Sequence, residues 1–218
     1  MGTILASDII GKVQVILQDT TGIRWPATEL LGWVSDGQRE ICALRPSVGA
    51  ITGNISLVAG TRQSLPAGAS SLVSVMRNMG AGGVTPSNGI RLVPQGILDS
   101  QVPLWHGSTP TSPVKHYIYD QRAPRQFYVY PPAVTPWYVE AIYLQSPVDI
   151  ASVATAITID DLYAGPLKDY TLFRAYSKDM ELIGNSARSA EHRGLFETFM
   201  KADMALAALL HPAVQVQG

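Results

Sequence analysis

The hydrophobic period of this chain changes twice, and that switch constrains the fold more than any single motif. Near the start, Ile10, Val13 and Leu17 recur at helical spacing behind Ser7, a plausible N-cap. The segment from Asp19 to Gly22 reads as a break. A second helix opens at Trp25-Pro26-Ala27-Thr28, with proline suited to a first turn and Glu29 near the positive end of the dipole. Leu30, Trp33, Val34, Gly37, Ile41 and Leu44 then form one stripe that ends before Pro46. Gly37 lies inside it at a cost of about 1 kcal/mol relative to alanine, which implies a close approach by another element.

Between residues 51 and 146, prolines and glycines recur every few positions and alternation replaces the helical period. Residues 54–58, 71–79, 90–94, 114–119, 126–130 and 137–144 read as short strands. A sandwich or small barrel is expected. Residues 95–102 suit one short helix, and Leu104-Trp105 behind Pro103 reads as an apolar plug. Gly80-Ala81-Gly82-Gly83 lacks the following Lys-Ser/Thr of a phosphate-binding loop and reads as a flexible hairpin connection.

Helical spacing returns after Asp160-Asp161, whose carboxylates suit a helix start. Tyr163, Leu167, Tyr170, Phe173, Tyr176, Met180 and Ile183 make a stripe, and Gly184 is expected to stop it. A last helix places His192, Leu195, Phe199, Ala202, Leu206 and Leu209 at heptad-like intervals, and Phe196 and Met200 widen its apolar face. Residues 211–218 have little to bury by themselves. The expected class is therefore α+β: residues 1–50 and 147–218 form a discontinuous helical bundle, and residues 51–146 form a β-rich insertion domain.

Composition adds function. Charged residues make up only 15% against 46% hydrophobic, where soluble domains carry roughly 25% charged. Burial against other subunits accounts for such a surface, as does a large core beneath a Ser/Thr/Gly-rich exterior. The net charge is −1, from 16 basic and 17 acidic residues without a basic block, which argues against sequence-specific binding of nucleic acid. No stretch approaches the ~20 apolar residues of a membrane span, and the N-terminus shows no secretory leader. Synthesis in a cytoplasm is expected.

No constellation of catalytic groups emerges. Cys42, the only cysteine, precludes an internal disulfide and reads as a small buried thiol. His106, His116, His192 and His211 lack partners at metal-helix spacing, so neither a metal nor a cofactor is expected. Tyr117, Tyr119, Phe127, Tyr128, Tyr130, Trp137, Tyr138 and Tyr143 crowd three strands read as neighbours. Core packing claims most of them, a protein interface comes second, with Tyr128, Tyr130 and Trp137 as its candidates, and carbohydrate binding ranks last.

The run from Arg24 through Ile41, closed by Leu44-Arg45-Pro46, resembles the opening helix of head-to-tail adaptors of short-tailed bacteriophages. Leu98-Asp99, Pro103-Leu104-Trp105, Tyr119-Asp120 and the run from Pro124 to Pro132 resemble the middle of that family. The run from Tyr170 to Asp179 resembles its late helix. The likeness covers most of residues 7–200 in order and thins at 80–88 and after Lys201. It implies a non-enzymatic virion protein at the head–tail junction. Such a protein forms a ring, a dodecamer in this family, with portal on one face, tail nozzle on the other and genomic DNA passing through the lumen. The interface expected with the portal or a neighbouring subunit comprises Leu195, Phe196, Phe199, Met200, Leu206 and Leu209. A tail-nozzle or tail-completion subunit is the nearest alternative, and a carbohydrate-binding β-domain the one from another class.

Overall fold

The computed structural model describes residues 2–179 and 181–210; Met180 and residues 211–218, part of the late stripe and the tail, lie outside the described residues. The elements in order are α1 (Ala6–Ile16), α2 (Ala27–Leu44), β1 (Ala50–Ser56), β2 (Gly60–Ser64), β3 (Ala69–Asn78), β4 (Arg91–Leu92), α3 (Gln95–Gln101), β5 (His116–Ile118), β6 (Gln126–Ala133), β7 (Tyr138–Gln145), α4 (Ala164–Lys178) and α5 (Asn185–Leu210). Helices flank a β-rich region, and the fold is α+β. Contacts divide the chain into two compact units, one of residues 1–48 and 147–218 and the other of residues 49–146.

In the helical unit, α4 packs against α1, α2 and α5. Ile9, Ile10, Val13, Leu30, Val34, Ile41, Leu167, Leu172 and Phe196 form its interior. The close approach expected at Gly37 is made by α4: a Cβ there would lie 2.9 Å from both Leu167 Cδ2 and Tyr170 Cδ1. Without a side chain, α2 admits the Tyr170 ring.

The extended segment between β7 and α4 has no counterpart in the sequence reading. Ile150, Ile157 and Ile159 are buried along it, and two polar side chains of α2 hold it. Ser35 Oγ accepts from Ile150 N at 3.1 Å, and Gln38 Oε1 accepts from Thr158 N at 2.7 Å. The same segment caps α1, since Ala6 N donates to Thr155 O at 3.0 Å and Ser7 N to Val153 O at 2.8 Å. Ser7 therefore lies inside the first turn and is not the cap. Neighbouring backbone satisfies the free N–H groups that a side chain was expected to meet.

Helix α4 begins after a short 3-10 turn at Asp161–Tyr163, where Asp160 accepts from Leu162 N at 2.9 Å. It ends at Lys178, short of the expected stop. Gly184, at φ +92°, stands instead directly before α5, and Ile183 is fully exposed.

The β unit is a sandwich of two sheets, ordered β1-β7-β3 and β2-β6-β5-β4. One core lies between them, with Ile55, Leu72, Val75, Val139 and Ala141 from the first sheet meeting Tyr117, Phe127, Val129 and Ala133 from the second. Strand β7 thus belongs to a different sheet from β5 and β6, so the aromatics do not line three adjacent strands. Strand β2 was hidden in Gly60-Thr61-Arg62-Gln63-Ser64, which carries no large apolar residue; its pairing with β6 supplies what its composition lacks.

The outer face of the four-stranded sheet is covered. Trp105, 1% exposed, packs with Leu98 of α3 and Ile118 of β5, and its indole N–H donates to Asp99 at 2.8 Å. Only Trp105 serves as the plug, because Leu104 points outward at 82% exposure. The 80–83 loop is tied down, with Tyr138 N donating to Gly80 O at 3.0 Å and Asn54 Nδ2 to Gly83 O at 2.6 Å.

Candidate functional site

The last two turns of α5 carry exposed apolar side chains and no charge. At 26 residues this helix runs roughly 39 Å, well beyond the 15 residues of α4. Its first half is anchored. Phe196 lies against Tyr170 with ring centroids 5.4 Å apart. Arg193 reaches Glu40 at 2.7 Å and Glu197 at 2.8 Å while lying over Phe173 and Phe196. His192 Nδ1 sits 3.0 Å from an Asp169 carboxylate oxygen, and its ring stacks on Tyr176.

The last anchor is Asp203. Its carboxylate pairs with Arg45 and accepts a hydrogen bond from the Tyr163 hydroxyl at 2.8 Å, while Arg45 Nη1 donates to Tyr163 Oη at 3.0 Å. Burial and the Asp203 carboxylate push the Tyr163 hydroxyl up to about 12, so it stays a donor. Two long-range partners meet Asp203, and nothing in their spacing links positions 45, 163 and 203. Beyond this clasp, residues 204–210 contain no charged side chain, and Met204, Leu206 and Leu209 are 37%, 53% and 78% exposed.

The six apolar candidates of this helix therefore divide. Phe196 and Met200 are buried in the unit's own core, and Phe199 is half-buried against Tyr163, centroids 6.1 Å apart. Leu195, Leu206 and Leu209 face outward. Heptad spacing marks both sets equally, and the position of α4 separates them.

The aromatic candidates of the sandwich are half-buried and engaged within the unit. Tyr128 lies beneath Trp105 and His106, centroids 6.1 and 5.6 Å away, and Tyr130 stacks on His116. Trp137 donates its indole N–H to Asn78 Oδ1 at 2.9 Å. Asn78 is fully buried and also receives Val114 N at 3.0 Å while donating to Asn88 O and Val114 O. It ties the two sheets together, a role without sequence signal.

Cys42 is half-buried, and burial pushes its thiol up to about 11, which suppresses the nucleophilic thiolate. Burial lowers His116, with Arg91 and Lys115 acting in the same direction. Among the described residues, no three His, Cys, Asp or Glu side chains are placed to hold a metal ion. No described helix is long and apolar enough to cross a membrane. An apolar groove follows α1 along Gly11, Val15 and Ile16, flanked by Lys12 and Lys168.

A helical unit, a β-sandwich and an uncharged, outward-facing helix end give the chain a surface suited to assembly with other proteins. Residues 4–215 match the family described as SU10 adaptor protein, and the chain belongs to that family of bacteriophage adaptor proteins. It is a virion component that interacts with other proteins of the phage head and tail. No curated protein matches the chain.

Proposed function

We propose that the chain assembles into a closed ring of identical subunits at the head–tail junction. The ring seats on the portal, receives the tail nozzle on its other face and leaves a lumen for the genome. A dodecamer is the expected stoichiometry from the family resemblance. In this reading residues 1–50 and 147–218 act as the domain that meets the portal, and residues 51–146 serve as an insertion turned to neighbours or tail proteins. Tyr128, Tyr130 and Trp137 contribute what remains exposed of their rings.

The observation that carries the proposal is the uncharged end of α5 beyond Asp203. Isolated in water, Met204, Leu206 and Leu209 gain nothing from exposure; covered by a partner they contribute about 25 cal/mol per Å² of apolar area removed from water. Leu206 and Leu209 share one helix face with Leu195, and that face is assigned to the portal. The low charge, net −1, fits a wall past which DNA slides without being gripped.

Light scattering and electron microscopy of the protein with purified portal test this. Wild type should form a closed ring on the portal. A variant carrying Leu206→Asp and Leu209→Asp should keep its helix content and melting temperature, since both side chains are exposed, yet bind portal at least tenfold more weakly. Unchanged binding by that variant would remove α5 from the interface. A wild-type monomer that ignores the portal would overturn the reading as a whole.

A further inference from the structure

Strand β1 is an open edge. It pairs with β7 on one side through seven residues in unbroken antiparallel register, Ala50 opposite Leu144 to Ser56 opposite Tyr138. Among the described residues, no backbone hydrogen bond reaches its other side. Exposed edges normally carry a charge, a proline or a bulge that discourages pairing, and Ala50-Ile51-Thr52-Gly53-Asn54-Ile55-Ser56 carries none of these.

The other outer strands are guarded. Strand β3 has three register shifts, and on its outer side Ile90 N donates to Met76 O and Leu72 N to Pro124 O. Strand β2 has Arg62 and a register shift, and β4 is two residues long.

The faces of β1 also differ. Ile51, Gly53 and Ile55 oppose Tyr143, Ala141 and Val139 on the core side, yet Ile51 remains 40% exposed. Thr52, Asn54 and Ser56 face away. A further strand would need apolar residues alternating with polar ones.

Such a segment stands at the end of this sequence. After Pro212 the next five residues read Ala213-Val214-Gln215-Val216-Gln217. We propose that residues 213–217 of one subunit add to the β1 edge of the next, antiparallel or parallel, with Gln215 beside Thr52 and with Val214 and Val216 on the face of Ile51 and Gly53. Main-chain hydrogen bonds supply the affinity and the alternation supplies the register. The donor is a neighbouring copy because a chain that gives a strand at its end and receives one at β1 makes two unlike half-contacts, as a closed ring requires. The inference rests on the ring of the preceding section and is independent of the portal contact assigned to Leu195, Leu206 and Leu209.

Two measurements test it, both in a Cys42→Ser background. A mixture of Thr52→Cys subunits with Gln215→Cys subunits, assembled on portal and oxidised, should give covalent dimers that neither variant gives alone. Replacing Val214 and Gln215 together by proline removes one N–H from each edge of the strand. It should raise the concentration needed for ring closure at least tenfold without changing the melt of the free subunit. Rings that form normally with the double proline, or that yield no cross-link in the mixture, overturn the strand exchange alone. A dilute monomer carrying both thiols that links to itself overturns the assignment to a neighbour. A wild-type chain that never forms rings overturns this inference and the ring together, so the two failures are told apart.

Discussion

Asp19 shows how one side chain sets a local structure. Its carboxylate accepts from the backbone N–H groups of Ile23, Arg24 and Trp25 at 3.0, 2.8 and 2.8 Å. These bonds, that from Trp25 foremost, hold its pKa below 3.8, its ordinary value. A depressed carboxylate contributes stability above its unfolded pKa and loses it as pH falls through the folded value. Asp19→Ala should therefore melt at a lower temperature than wild type at pH 7. The gap should hold down to about pH 4, close as pH falls further and vanish once the wild-type carboxyl is protonated; a thermal melt series across pH reads this directly. A break at Asp19–Gly22 is evident from residue types, but the three amides that converge on the carboxylate depend on how the chain turns back.

At the scale of elements, α2 carries two glycines with opposite consequences. A Cβ at Gly32 meets nothing within 4 Å, whereas at Gly37 it runs into Leu167 and Tyr170. Gly32→Ala should stabilise by about 1 kcal/mol through helix propensity. Gly37→Ala gains the same propensity but overpacks a closed interface at about 1–3 kcal/mol, for a net loss of up to about 2 kcal/mol; denaturant melts of the two variants should shift in opposite directions. The stripe from Leu30 to Leu44 is legible because its period is local. Its buried polar pair, Ser35 and Gln38, is not, since their partners lie more than 100 positions away at Ile150 and Thr158.

For the whole molecule, the pairing of Ala50 with Leu144 brings the ends of the β unit together across β1 and β7. The unit also has its own core between its two sheets. An excised fragment of residues 49–146 should accordingly fold alone and unfold in one cooperative transition, followed by circular dichroism and amide exchange; a fragment that stays unfolded would show that the helical unit is required for its folding. The ring reading predicts a different kind of dependence, in which subunit concentration and portal set assembly while each chain keeps its fold.

Hydrophobic period and breakers by themselves determined the helix–strand–helix order and most strands of the middle, because a 3.6-residue or two-residue repeat is a property of neighbouring positions. The resemblance carried by Arg24–Ile41 and the later runs determined the family. Tertiary structure decided which of several equivalent faces is used. It placed β7 in the sheet with β1 and β3, spent Phe196 and Met200 on the core while leaving Leu206 and Leu209 in solvent, and joined Arg45, Tyr163 and Asp203. Those outcomes depend on packing between residues far apart in the chain. Local sequence fixes how a helix or strand alternates, but not which neighbour it meets.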